Sequence, residues 1–444
     1  MKKFLVVLLS LGLLVAFGAT ASAADVKFGG TYYVVGVYDN NQRLADTDSS
    51  TSRAFFYQRI RIQPVFQIAE GLTFTSRFDA METQWGNTDW RGGFEAKYSS
   101  RRQQQNAGNP KIQESFEFER GYVGFATPIG LVQAGIMASG EWGTDFGNDT
   151  QSRPRARIDT KIGPWAMGFV YEKEFEADSS NFAGYAGKAD ADNDTYSVYG
   201  IFNWKGGNAG LLYKFFDRRA ARVSANNRAK FHALLPYVKA NFGPVYFEAE
   251  VVYGFGKAAE FDSGVTPDVD IDNLGAYGKV QVNLGPAYFG GLALWSQGND
   301  GSDPSKLKTG PASQDLEFGL ILGNDALQTW ESSNGNGGAN GVTFDSGKQN
   351  VLMYGMYGGF KPTPKLKMEL TLLSARRDKI AVTANLDKHL GIEFDATAEY
   401  KIYDNLSYMV GAGYLWTGDY FKGANQAGSI GNNYLLLNKL SLSF

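Results

Sequence analysis

Residues 434–444 read Tyr-Leu-Leu-Leu-Asn-Lys-Leu-Ser-Leu-Ser-Phe. Tyr434, Leu436, Leu440, Leu442 and Phe444 share one parity, and Lys439, Ser441 and Ser443 share the other. Successive side chains of a β-strand point to opposite faces, so from Asn438 onward one face meets an apolar medium and the other meets water. The same alternation recurs upstream. In 392–402, Ile392, Phe394, Ala396, Ala398, Tyr400 and Ile402 oppose Glu393, Asp395, Thr397, Glu399 and Lys401. In 245–255, an apolar set from Val245 to Phe255 opposes Glu248 and Glu250, and in 53–68 Phe56, Ile60, Ile62, Phe66 and Ile68 oppose Arg59, Arg61, Gln63 and Gln67.

Between these segments, reversals alternate in length. Short ones sit at 69–71, 128–130, 163–164, 205–208, 243–244, 285–286, 362–364 and 404–405. Three of them repeat an apolar residue followed by Gly-Pro, at Gly163-Pro164, Gly243-Pro244 and Gly285-Pro286. Gly admits positive φ and Pro presets a turn dihedral, so each is a reversal. Long polar stretches separate the hairpins: 40–52, 86–111, 139–152, 177–193, 220–229, 258–272, 298–348, 378–388 and 420–432. Short turns at one end and long loops at the other, on strands of 10–15 residues with aromatics near their ends, is the pattern of a transmembrane barrel. The expectation is an all-β, antiparallel barrel of about 16–18 strands, with short periplasmic turns and long extracellular loops. A barrel of that width holds water along a polar inner face.

The N-terminus supports export. Met1-Lys2-Lys3, an apolar run from Phe4 to Phe17 and Ala21-Ser22-Ala23 make a secretory signal peptide over residues 1–23. Residues 24–444 form one domain, because no linker or composition break divides them. No later segment reaches the ~18 uninterrupted apolar residues of a transmembrane helix. The chain has 444 residues, 54 glycines, 14% aromatic residues, a net charge of −3 and no cysteine. The missing cysteine excludes disulfides, thiolate metal sites and Cys nucleophiles, and the balanced charge gives no reason to expect nucleic acid.

The aromatic end of the last strand resembles the closing strand of bacterial outer-membrane barrels, and by that resemblance Phe444 is an assembly signal read by the outer-membrane assembly machinery. The stretch Arg120-Gly121-Tyr122-Val123-Gly124-Phe125, followed by Gly130-Leu131-Val132-Gln133-Ala134-Gly135, resembles one hairpin of the Gram-negative trimeric porins. Ile136 stands where that pattern carries an arginine. The resemblance implies a homotrimer in outer-membrane lipid and lipopolysaccharide that passes small hydrophilic solutes. It also implies that the next loop, 139–152, folds into the barrel and narrows it. That loop carries Glu141, Asp145 and Asp149, and the following strand opens with Arg153, Arg155 and Arg157 on one face. Arg59, Arg61 and Arg77 share that orientation on strands two and three. An acidic loop facing an arginine wall would place a transverse field across the aperture. The loop acids could equally be a solvated surface. The three arginines could form a row above the membrane that binds lipopolysaccharide phosphates or neighbouring acids, but Ala156 and Ile158 mark the other face as apolar and favour the lumen. The patch 316–322 in the longest loop could constrict the pore or pack on its rim.

Enzymatic chemistry finds little support. Two histidines, His232 and His389, lie far apart, and neither a phosphate-binding glycine loop nor an H-E-x-x-H motif occurs. The pairs Glu117/Glu119 and Glu172/Glu174 are same-face strand neighbours. No cofactor and no metal site is implied. The expected function is a porin for passive diffusion of small hydrophilic solutes and ions. The alternatives are a substrate-specific anion, phosphate or sugar channel, and a barrel sheath around a partner protein.

Overall fold

A computed structural model describes residues 25–41, 44, 52–85, 116–176, 191–311, 315–324 and 348–444. The expected signal segment 1–23, the polar stretch 86–111 and much of 177–193 and 325–347 lie outside the described residues. The chain runs through β1 (Asp25–Asp39), β2 (Arg53–Ala69), β3 (Leu72–Gln84), β4 (Phe116–Thr127), β5 (Gly130–Ser139) and β6 (Gln151–Ile162). It continues through β7 (Trp165–Phe175), β8 (Asn193–Trp204), β9 (Gly207–Arg218), β10 (Asn227–Phe242), β11 (Val245–Phe261), β12 (Val269–Leu284) and β13 (Ala287–Ser296). After β14 (Lys306–Leu307) come β15 (Val351–Thr363), β16 (Leu366–Arg377), β17 (His389–Tyr403), β18 (Leu406–Thr417) and β19 (Asn433–Ser443).

The sheet closes on itself. β1 pairs antiparallel with β2 and with β19, so every wall strand has two neighbours and no edge is left open. β14 is a two-residue piece lying parallel on β12, so eighteen of the nineteen strands among the described residues make the wall. That is the upper of the two strand totals expected from sequence. All eight short reversals are two-residue connections, and the long polar stretches join the other ends.

Local chemistry explains the turns. Gly163, Gly243 and Gly285 have φ of 58°, 60° and 63°, and a proline with negative φ follows each, as a type II′ hairpin requires. A Cβ at any of the three would meet nothing within 4 Å, so backbone conformation and not space selects glycine there. Each proline carbonyl then accepts a hydrogen bond from the next strand, from Asn203 N–H (2.9 Å), Asn283 N–H (2.9 Å) and Lys361 N–H (2.8 Å).

The outer face is apolar. Ile392, Phe394, Tyr400, Tyr408, Val410, Trp416, Leu436 and Phe444 are all exposed, while the alternating Glu393, Asp395 and Leu435 are buried. A soluble sandwich would turn its apolar parity inward. Twelve residues at about 3.3 Å each, tilted by some 45°, cover the roughly 25 Å of hydrocarbon that an outer-membrane wall crosses.

Part of the interior is also apolar. Val35, Val37, Leu294, Met353, Leu373, Leu415 and Leu435 project inward and are covered by Leu316, Phe318, Ile321 and Leu322 from the longest loop and by Tyr420 and Phe421. Of the two placements open to the patch 316–322, the structure takes the inner one. Ile321 and Leu322 donate their backbone N–H groups to Glu393 (2.7 and 2.6 Å), and Leu320 N–H donates to Asp395 (3.3 Å). Two inward carboxylates of β17 therefore hold a loop backbone that carries apolar side chains into the barrel.

Candidate functional site

The loop after β5 leaves the wall at Gly140 (φ 80°), where Asp149 N–H returns to Gly140 O (3.1 Å) and closes its neck. Between these points it crosses to the opposite wall. Trp142 donates its indole N–H to Leu235 O (2.8 Å) and packs edge-on against Tyr237. Thr144 donates from N–H (2.7 Å) and from its hydroxyl (2.6 Å) to one oxygen of Glu250 on β11. The same hydroxyl oxygen accepts from Phe146 N–H (3.2 Å) and caps a one-turn 3-10 helix, 145–147. Phe146 is fully buried and stacks on Tyr277 of β12, with ring centroids 5.8 Å apart. The loop also meets the segment 315–324, because Asp315 accepts from Thr150 N–H (3.2 Å) and its own N–H reaches Asn148 O (3.4 Å). Two loops thus join inside the barrel.

The arginines expected on one face do lie on the inward parity, and each is paired with an acid of its own or an adjacent strand. Arg61 makes a two-pronged contact with Asp79 (2.8 and 2.7 Å), and Arg59 reaches Glu82 (3.4 Å) and Asp79 (3.7 Å). Arg77 reaches Glu119 at 3.3 Å. On the next wall Arg153 lies 3.4 Å from Glu174, Arg155 3.0 Å from Glu172, and Arg157 2.6 Å from Asp159. Antiparallel register accounts for these pairs, since Arg155 stands opposite Glu172 and Arg61 opposite Asp79.

The loop acids do not mirror that wall. Glu141 is exposed and sits 4.0 Å from Arg120. Asp149 accepts from Gln151 (2.7 Å), and Asp145 lies in the helical turn beside Phe146, against β11 and β12. Ile136, which replaces the arginine of the porin-like pattern, is exposed on the outer face. The other wall neutralises charge differently. Glu248 accepts from Tyr246 (2.6 Å) and Tyr277 (2.7 Å), and Glu369 accepts from Tyr288 (2.5 Å). Sequence assigned no site role to Glu250, Glu393 and Asp395, although strand parity alone put them opposite apolar sets, and Arg120 entered only as the start of the porin-like stretch.

Beside the inward loop a cavity of about 420 Å³ remains, bordered by Arg120, Tyr122, Gln133, Trp142, Arg155, Arg157, Tyr199 and Lys214. The histidines are elsewhere. His232 stacks among Phe215, Tyr213 and Phe255, with its Nδ1 2.7 Å from the Tyr213 hydroxyl, and His389 begins β17. Among the described residues no three His, Cys, Asp or Glu side chains come together to hold a metal.

No protein-family model matches the sequence, and no curated protein matches it. Solved structures do match in fold. A BenF-like porin from Pseudomonas fluorescens Pf-5 aligns with TM-score 0.50 over 95% of this chain and 99% of its own, at 11% identity. OccK8 (OprE) of Pseudomonas aeruginosa aligns with TM-score 0.50 over 94% of this chain and 98% of its own, at 9% identity. At such identities the likeness is one of fold. The likeness gives this chain the porin fold, a closed barrel whose apolar exterior suits a membrane.

Proposed function

We propose that the barrel is a water-filled channel through which small hydrophilic solutes and ions diffuse passively across the outer membrane. The observation that carries this reading is the charged cavity left beside the inward loop, bordered by Arg120, Arg155, Arg157 and Lys214 within a wall wide enough for water. In this reading Arg59, Arg61, Arg77, Arg153, Arg155 and Arg157 line the passage, and the loop bearing Glu141, Asp145 and Asp149 narrows it. Residues 1–23 are removed on export, and 24–444 is the pore domain. Phe444, at the seam with β1, is the feature read by the assembly machinery. The barrel sits in lipid and lipopolysaccharide as a homotrimer.

A second reading, a channel selective for one class of solute, draws support from the interior core around Phe318 and Leu322, which leaves less of the cross-section to water. A sheath around a partner protein draws none, because the chain's own loops occupy part of the interior. Single-channel recording of folded protein in a planar bilayer tests the proposal. Stable steps, often in threes, are expected, whereas silence from folded protein would refute the open pore.

A further inference from the structure

The inward cations differ in what surrounds them: Lys367 lies 3.2 Å from Glu369, whereas Arg377 lies over the Tyr420 ring. Each arginine expected on one face has a carboxylate within 4 Å. Lys214 on β9 has none among the described residues, and its ammonium instead lies 5.1 Å from the Phe216 ring. Lys279 over Tyr357 (5.4 Å) and Lys439 over Tyr33 (5.5 Å) repeat the arrangement. A ring face holds a cation through its quadrupole but does not cancel its charge. A carboxylate cancels it.

Of these lysines, Lys214 borders the cavity beside the inward loop. Four cations line that space: Arg120, Arg155, Arg157 and Lys214. Arg155 and Arg157 are held by Glu172 and Asp159, and Arg120 has the distant Glu141 at 4.0 Å. Lys214 therefore brings an ammonium with three N–H donors and no carboxylate in contact to a narrow space with low-dielectric walls, where a fixed charge acts most strongly on a passing ion. Ser197, its register partner on β8, adds a hydroxyl beside it.

We infer that Lys214, rather than the arginine wall, sets the charge preference of the channel and centres a subsite for small oxyanions such as inorganic phosphate. The inference rests on the channel reading, and the experiment separates the two. Full-length protein is recorded in a planar bilayer under a KCl gradient, and potassium phosphate is then titrated in. The expected wild type prefers chloride to potassium, and phosphate lowers its KCl current saturably. Lys214→Met should reduce the chloride-to-potassium ratio about thirtyfold, the combined effect on the anion and the cation of one unit charge some 4 Å away in water. It should also abolish the phosphate response, while Lys214→Arg keeps both. An unchanged ratio and an unchanged phosphate response in Lys214→Met, with current intact, would overturn the subsite and leave the channel standing. No current from folded wild type removes the channel itself. The wild-type titration needs no variant to fold, and a current indifferent to phosphate overturns the subsite alone.

Discussion

Thr144 and Glu250 bind each other across the barrel, with backbone N–H and hydroxyl both donated to one carboxylate oxygen. The two residues are 106 positions apart, and their bond fixes the tip of the inward loop against β11. Glu250→Ala leaves buried donors without their acceptor, at a cost of about 1–3 kcal/mol each. We expect larger and noisier single-channel currents, with Thr144→Val intermediate because the N–H contact survives. Wild-type conductance in both variants would dissociate the loop from the aperture.

The arginine wall is predicted to act through its partners. Changing Arg153, Arg155 and Arg157 to Ser leaves Glu172, Glu174 and Asp159 without those cations. The reversal potential should then move toward cation preference. In the double variant Arg155→Gln/Glu172→Gln, both charges of one pair go and the shift should be small. A triple variant with unaltered selectivity would take these residues out of the ion path.

The placement of residues 316–322 inside the barrel predicts a cross-link. A Cβ at Gly413 would lie 3.3 Å from Leu320 Cβ, close to the roughly 3.5–4.5 Å of a disulfide. Because the chain has no cysteine of its own, Leu320→Cys/Gly413→Cys should form one bridge on oxidation, seen as a linked pair of fragments after proteolysis. Failure to cross-link would place the segment elsewhere.

Parity predicts where charge is tolerated. Val410 is exposed on the outer face, and Thr397 is on the opposite parity of the neighbouring strand. Val410→Arg should destabilise the barrel by about 2–4 kcal/mol near the midplane, and Thr397→Arg by far less. Urea titration of folding into lipid vesicles measures both, and equal effects would mean that the faces are misassigned.

At the turns, Gly243→Ala places a Cβ at φ 60° and should cost about 1–2 kcal/mol. Gly200→Ala on β8, where a Cβ also meets nothing and φ is not positive, serves as the control. The unfolding midpoint of the first should fall and that of the second should hold.

What could be read from sequence follows the range of each interaction. Gly163-Pro164 and its two repeats declare a turn within two residues, and Glu393 and Asp395 alternate with Ile392 and Phe394 within four. Strands, turns and face parity were therefore legible, including the shared face of Arg153, Arg155 and Arg157. The partners of those arginines depend on register between strands, which no single segment encodes. The Thr144–Glu250 bond and the seat of Leu320 over Gly411 and Gly413 depend on where loops land after the wall has closed. A run such as Leu316-Glu-Phe-Gly-Leu-Ile-Leu322 reads the same on a rim as in an interior.

The seam between β1 and β19 has a kinetic meaning. Tyr434 N–H bonds Asn40 Oδ1 across 394 positions, and Gly30 and Phe444 exchange both backbone hydrogen bonds at 2.8 and 3.0 Å. Until β19 arrives, β1 offers a bare row of donors and acceptors to any passing strand, its own copy included. Loop closure over such a span is slow, so the half-built molecule is most vulnerable just before its final strand docks. The first strand thus stays an open template for as long as the last is missing.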